Sequence, residues 1–188
     1  MEQHRRIRLL RNALVISLAA LLPSPLTAPL LAQGIFAQRI PLSQHGTVSQ
    51  AIANTTVTIE YNRPVARGRE LFGALVPWGR VWCPGADDCT SIKLSTAATI
   101  NGQKLAAGSY TMWAEPNPDN WTIIFSRGYP AFHTSYPAGR DALRVTAVPR
   151  KGEHLETLSF YFPVVEGKHA ELVLHWGTVV VPLQLDVP

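Results

Sequence analysis

From about residue 47 onward, apolar and polar residues alternate with a period of two, the pattern of strands with one buried and one wet face. Residues 47–52 and 55–61 read as two strands around Ala53-Asn54; in the second, Val57, Ile59 and Tyr61 interleave with Thr56, Thr58 and Glu60. Residues 90–94 form another short strand. Residues 98–100 and 103–105 flank Asn101-Gly102, the strongest hairpin signal in the chain. Strands at 109–114 and 121–125 are separated by the turn cluster Pro116-Asn117-Pro118-Asp119-Asn120. After an irregular loop at 126–141, strands follow at 142–148, 156–162, 170–176 and 178–187. The alternation is clearest in Leu158, Phe160, Phe162 and in Leu172, Leu174, Trp176. No amphipathic helix is predicted. Eight to ten short strands at this spacing predict an all-β fold, a single antiparallel β-sandwich in preference to a barrel.

The first residues break this pattern. Arg5, Arg6, Arg8 and Arg11 precede an apolar run of about ten residues, 13–22, which is short for a bilayer span. A Pro-rich stretch at 23–29 and the small residues Ala32 and Ala37 follow. Residues 1–37 therefore read as a signal peptide and cleavage region, and 38–188 as one β-sandwich domain, exported to the periplasm or beyond with no membrane span after cleavage.

Removal of that segment changes the charge picture. The whole chain carries 17 Lys+Arg and 13 Asp+Glu; without the four Arg and one Glu of residues 1–37, 13 basic side chains face 12 acidic ones. A nucleic-acid partner, which calls for a broad basic face, is not expected. Positive charge is instead local. Residues 61–90 hold Arg63, Arg67, Arg69 and Arg80, Trp78 and Trp82, several glycines and prolines, and both cysteines. This segment fits neither helical nor strand periodicity, and it is the expected place for a site.

Export permits a disulfide between Cys83 and Cys89. A structural zinc site is the rival. Five residues separate the two cysteines and no His lies in the segment, which disfavours zinc. His45, His133, His154, His169 and His175 show no metal-ligand spacing, so no metal and no cofactor is expected. His154 and His169 fall in predicted turns, and His175 faces away from the inward Trp176. There is no G-x-S-x-G and no Gly-rich phosphate loop.

The order of several motifs resembles the bacterial family called domain of unknown function 2911. They are Thr47-Val48-Ser49-Gln50, Ile59-Glu60-Tyr61-Asn62-Arg63-Pro64, Arg67-Gly68-Arg69-Glu70-Leu71-Phe72-Gly73 and Leu75-Val76-Pro77-Trp78-Gly79-Arg80-Val81-Trp82. Further along, Gly102-Gln103-Lys104-Leu105, Trp121-Thr122-Ile123-Ile124 and Leu172-Val173-Leu174-His175-Trp176 agree. The resemblance runs over roughly residues 44–185 and implies an exported β-rich domain with no agreed activity. One departure stands out: the family pattern has an arginine after the tryptophan, where this chain has Cys83. The disulfide then reads as a substitute brace.

Three functions compete. Guanidinium groups of Arg63, Arg67, Arg69 and Arg80 suit planar anions, and Trp78 and Trp82, with Tyr61 and Trp113, suit a ring or peptide platform. The expected function is non-catalytic binding of a small molecule, glycan or envelope protein through residues 61–90. The blander account pairs these arginines with Glu60, Glu70 and Asp87 and uses the tryptophans to plug the sandwich. A carboxylate-dependent hydrolase drawing on Glu60, Glu70, Asp87, Asp88 and Glu115 is the first alternative. A structural protein pairing through its sheet edges is the second.

Overall fold

The computed structural model describes residues 40–188; the segment expected to be a signal peptide, 1–37, lies outside them. The described residues form two antiparallel sheets packed face to face, without a helix and without closure into a barrel. The strands are β1 (Gln44–Ile52), β2 (Thr55–Arg63), β3 (Ser91–Leu94), β4 (Ala98–Ile100), β5 (Gln103–Leu105), β6 (Gly108–Pro116), β7 (Trp121–Ser126), β8 (Asp141–Ala147), β9 (Arg150–Glu166) and β10 (His169–Asp186). One sheet has the order β1-β2-β3-β6-β7-β8 and the other β5-β4-β10-β9.

The alternation in the sequence becomes the packing. Val57, Ile59 and Tyr61 of β2 point between the sheets and meet Leu158, Phe160, Leu172, Leu174 and Trp176 from β9 and β10. Tyr61 stays buried there because its hydroxyl accepts the Phe160 N–H at 3.1 Å, while its ring packs edge-on against Phe160. Burying roughly one such large side chain is worth about 1.5–3 kcal/mol. The six-stranded sheet also has a second covered patch on its outer face. Trp113 and Ile124 point outward from β6 and β7, beneath the two irregular loops, and share a small separate core with Cys83 and Cys89.

Two expectations change. The strands foreseen at 170–176 and 178–187 are one continuous strand, β10, paired along most of its length with a long β9. Gly177 absorbs the break: it takes φ +59°, and the register shifts on either side of it. The glycine stays in the ladder as a bulge, and so does not end the strand. His154 and His169, expected in turns, lie in β9 and β10, His169 opposite Glu166 at the hairpin between them.

His175 does face away from Trp176, but it is buried on that outer face as well. Its Nε2 lies 3.0 Å from the Glu153 carbonyl, which accepts only, so Nε2 carries the proton. Its Nδ1 then accepts from the Tyr161 hydroxyl at 3.1 Å.

A Cβ on Gly177 would stand 2.8 Å from Leu71 Cδ1 in a left-handed backbone conformation. Gly177→Ala is therefore expected to lower stability by at least about 1–2 kcal/mol. Gly167→Ala, which has a similar φ and no neighbour within 4 Å, should cost less. Urea unfolding of both variants checks the difference.

Candidate functional site

Residues 64–90 leave β2 and cross the end of the sandwich before returning as β3. Their course is set where β3 stops short. The β3–β6 pairing runs from Ser91↔Thr111 to Leu94↔Gly108, so the next stretch of β6 has a free edge. Trp82 fills it: Trp82 and Ala114 exchange both backbone hydrogen bonds at 2.8 Å, and the Gly79 N–H reaches the Pro116 carbonyl at 2.8 Å. Paired residues in an antiparallel ladder share a face, and their chain neighbours take the other. Trp82 thus joins Ala114 between the sheets, and Cys83 turns to the outer face.

Cys83 and Cys89 are bonded, with their Cα atoms 5.8 Å apart. The bond is buried against Trp113 and Ile124, under a second loop that contributes Ala131 and Tyr136. Backbone hydrogen bonds join the two loops, from Cys89 N–H to the Ala131 carbonyl (2.8 Å) and from His133 N–H to the Asp87 carbonyl (2.9 Å). Tyr136 packs on Trp113, and its hydroxyl bonds the Asp141 carboxylate at 2.7 Å. Burial, and then that carboxylate, push the Tyr136 hydroxyl above its ordinary pKa.

On the inner side, Phe72 is the hub of an aromatic cluster. Its ring centroid lies 4.9 Å from Trp121, 6.1 Å from Trp82, and 6.2 Å from both Trp78 and Trp176. Trp82 of one sheet and Trp176 of the other stack at 6.1 Å with 13° between their planes. Trp78 is 40% exposed and lies over Gly73. Tyr61 and Trp113 are not part of this cluster: one is in the core and the other under the disulfide. The four-membered platform envisaged from sequence is therefore redrawn, with Phe72, Trp121 and Trp176 in their place. Phe72 and Trp176 looked like ordinary strand or loop residues, and only the turn at 71–76 brings them together.

The four arginines separate into three roles. Arg63 is a prop between sheets, donating to the Leu158 carbonyl at 3.3 Å and Ser159 Oγ at 2.8 Å. Arg69 staples its own turn, donating to the carbonyls of Ala66 (2.8 Å) and Val65 (2.6 Å). Arg67 is exposed, with only a 3.4 Å contact from its guanidinium to the Leu42 carbonyl. Arg80 is exposed outside the clefts described below. Among the described residues, none of the four pairs with a carboxylate, so the expected partners Glu60, Glu70 and Asp87 do not neutralise them.

Arg67, Arg69, Trp82 and Trp176 line one cleft of about 380 Å³, with His133 at its rim and no Asp or Glu in its wall. Arg67 adopts φ +52°, unusual for a residue with a side chain. Glu156, reached only through the fold, holds it there: its Oε1 accepts the Arg67 backbone N–H at 2.6 Å, and its Oε2 bonds His154 at 2.9 Å.

Residues 43–185 match the family model described as "Protein of unknown function (DUF2911)". The chain belongs to that family. No curated protein and no solved structure matches it. The DUF2911 match takes in both irregular loops and every strand apart from the last residue of β10.

The acids considered for hydrolysis are scattered over this DUF2911 domain. Glu70 and Asp87 are exposed on the loop, and Glu115 stands 4.0 Å from Arg144. Glu60 and Asp88 border a separate hollow of only about 150 Å³, below the usual size of a small-molecule site.

Two outcomes test this geometry. Closing so short a loop stabilises by about 2 kcal/mol; the double variant Cys83→Ala/Cys89→Ala should lose at least that in a denaturant titration.

The second concerns acid. His154, then the Arg67 N–H, hold the Glu156 carboxyl below its ordinary pKa. A depressed folded pKa adds stability that is present above the unfolded value and is lost as pH falls through the folded one. Acid should therefore loosen the Arg67 turn below about pH 4, and Glu156→Gln should flatten that dependence in an NMR titration of the Arg67 amide.

Proposed function

We propose that this protein is an exported, non-catalytic binding module whose ligand places a carboxylate or similar planar anion against Arg67 and Arg69. Small molecules, glycans and envelope proteins all offer such a group. The carrying observation is the cleft itself: two guanidinium groups without carboxylate partners beside the stacked pair Trp82 and Trp176, in a wall free of acids. A guanidinium fork matches a planar anion through paired hydrogen bonds. The half-buried Trp82 indole offers an apolar wall to whatever carries the anion.

The backbone of Arg67 supports the same reading. A left-handed residue with a long side chain is less stable than glycine at that position by about 1–2 kcal/mol. Gly68, with φ +67° and open space around it, follows directly. Packing gives no reason for an arginine there, since its side chain is exposed. Export is supported by the buried disulfide, a bond that persists in oxidising compartments. No helix among the described residues is long and apolar enough to cross a membrane.

Arg67→Gly separates function from folding. Its stability should match the parent within about 1 kcal/mol, since relieved strain offsets lost chain restriction. Its binding to anionic ligands found by screening glycans, anionic metabolites and envelope extracts should fall by at least about tenfold. Unchanged binding in Arg67→Gly and Trp78→Ala would place the site elsewhere.

A further inference from the structure

The cleft does not end at Arg69 and Trp176. These two residues also line a second hollow of about 310 Å³, walled by Phe72, Trp78 and His154. Trp78, Thr178 and Val179 pass from that hollow into a third of about 200 Å³, bordered by Arg150 and Lys151. Shared walls set the three hollows side by side, as a row that a chain-like ligand could follow as one trough. Each of the first two is by itself large enough for a small ligand.

Charge along the trough has one sign. Arg67 and Arg69 stand at one end and Arg150 and Lys151 at the other, and no Asp or Glu lines any of the three hollows; His154, between them, bonds the Glu156 carboxylate at 2.9 Å. The domain outside the leader is close to neutral, with 13 basic and 12 acidic side chains, so this is a local segregation. Arg150 is partly neutralised by Glu171 at 2.6 Å. Lys151 has no ion-pair partner among the described residues. Between the charged ends, the exposed Trp78 presents a ring where the second and third hollows join.

We infer that the trough binds an acidic oligosaccharide along its length, with a uronate or sulfate group at each charged end and a pyranose ring against Trp78. Recurrent anionic groups on a chain of rings match cations at both ends with an aromatic surface between them. This inference rests on the anion-binding reading of the Arg67 cleft and extends it to a chain length and a polarity.

Calorimetric titration of the intact protein with galacturonic acid, its hexamer and neutral maltohexaose tests the inference. The hexamer should bind at least about tenfold more tightly than the monomer, because its linked groups act together. Maltohexaose should bind at least about tenfold more weakly than the acidic hexamer, and added salt should weaken the acidic hexamer. Lys151→Glu, at an exposed position, should weaken the hexamer about tenfold. Arg67→Gly should weaken both.

Equal affinity for monomer and hexamer, or a hexamer indifferent to Lys151→Glu, overturns the extended trough while leaving the single cleft standing. Binding indifferent to Arg67→Gly overturns the underlying cleft reading. Tighter binding of a single-stranded hexanucleotide than of any acidic sugar overturns the glycan assignment, as does absence of binding to all of them.

Discussion

Two backbone hydrogen bonds between Trp82 and Ala114 anchor the irregular segment between β2 and β3. They exist because β3 is too short to cover β6, which leaves peptide groups that must be paired when buried. Filling that gap gives the loop a strand-like stretch. Its alternation sends one residue to each side of the sheet. Trp82 closes the space between the sheets, and Cys83 begins the disulfide that seals the outer patch. The aromatic cluster and the disulfide core are thus two faces of one register, and a slip of one residue would exchange them.

The same cluster both plugs the sandwich and borders the clefts at its end, so packing and a binding role are compatible here. Trp82, Trp121 and Trp176 lie in or against the core; Trp121 and Trp176 are almost wholly buried, so Trp82 and Trp78 carry the accessible aromatic surface. Phe72 joins them because its turn places it over all three. The arginines divide differently. Arg63 and Arg69 spend much of their hydrogen-bonding capacity on carbonyls, which fixes the loop in place. Arg67 and Lys151 contribute little to holding the fold and stand free at opposite ends of the trough. The bond from Cys83 to Cys89 braces the loop by covalent means.

Much of the fold was legible in the residues because period-two alternation directly reports which side of a strand is buried. The hairpin at Asn101-Gly102 and the pairing of Cys83 with Cys89 follow from equally local chemistry. The site was legible only as a region. Arg67, Arg69, Trp78 and Trp82 do converge on the trough, whereas Arg63 and Arg80 do not contribute to it. Glu156 was missed because it approaches Arg67 from 89 residues away. His133, Arg150 and Lys151 were missed for the same reason. The continuity of β10 was missed because a glycine that ends a strand and one that bulges within it look alike in sequence.

The sequence by itself determined the class of fold, the segment of interest, the disulfide and the family, since each rests on local periodicity, spacing or motif order. Only the tertiary structure decided which arginines are props and which stand free, and which tryptophans share a surface. It also decided that the basic groups of β9 and those of the loop border neighbouring hollows whose walls carry no acid. Those outcomes depend on contacts between distant segments, and a side chain's partners across a sandwich leave no mark on its immediate neighbours in the chain.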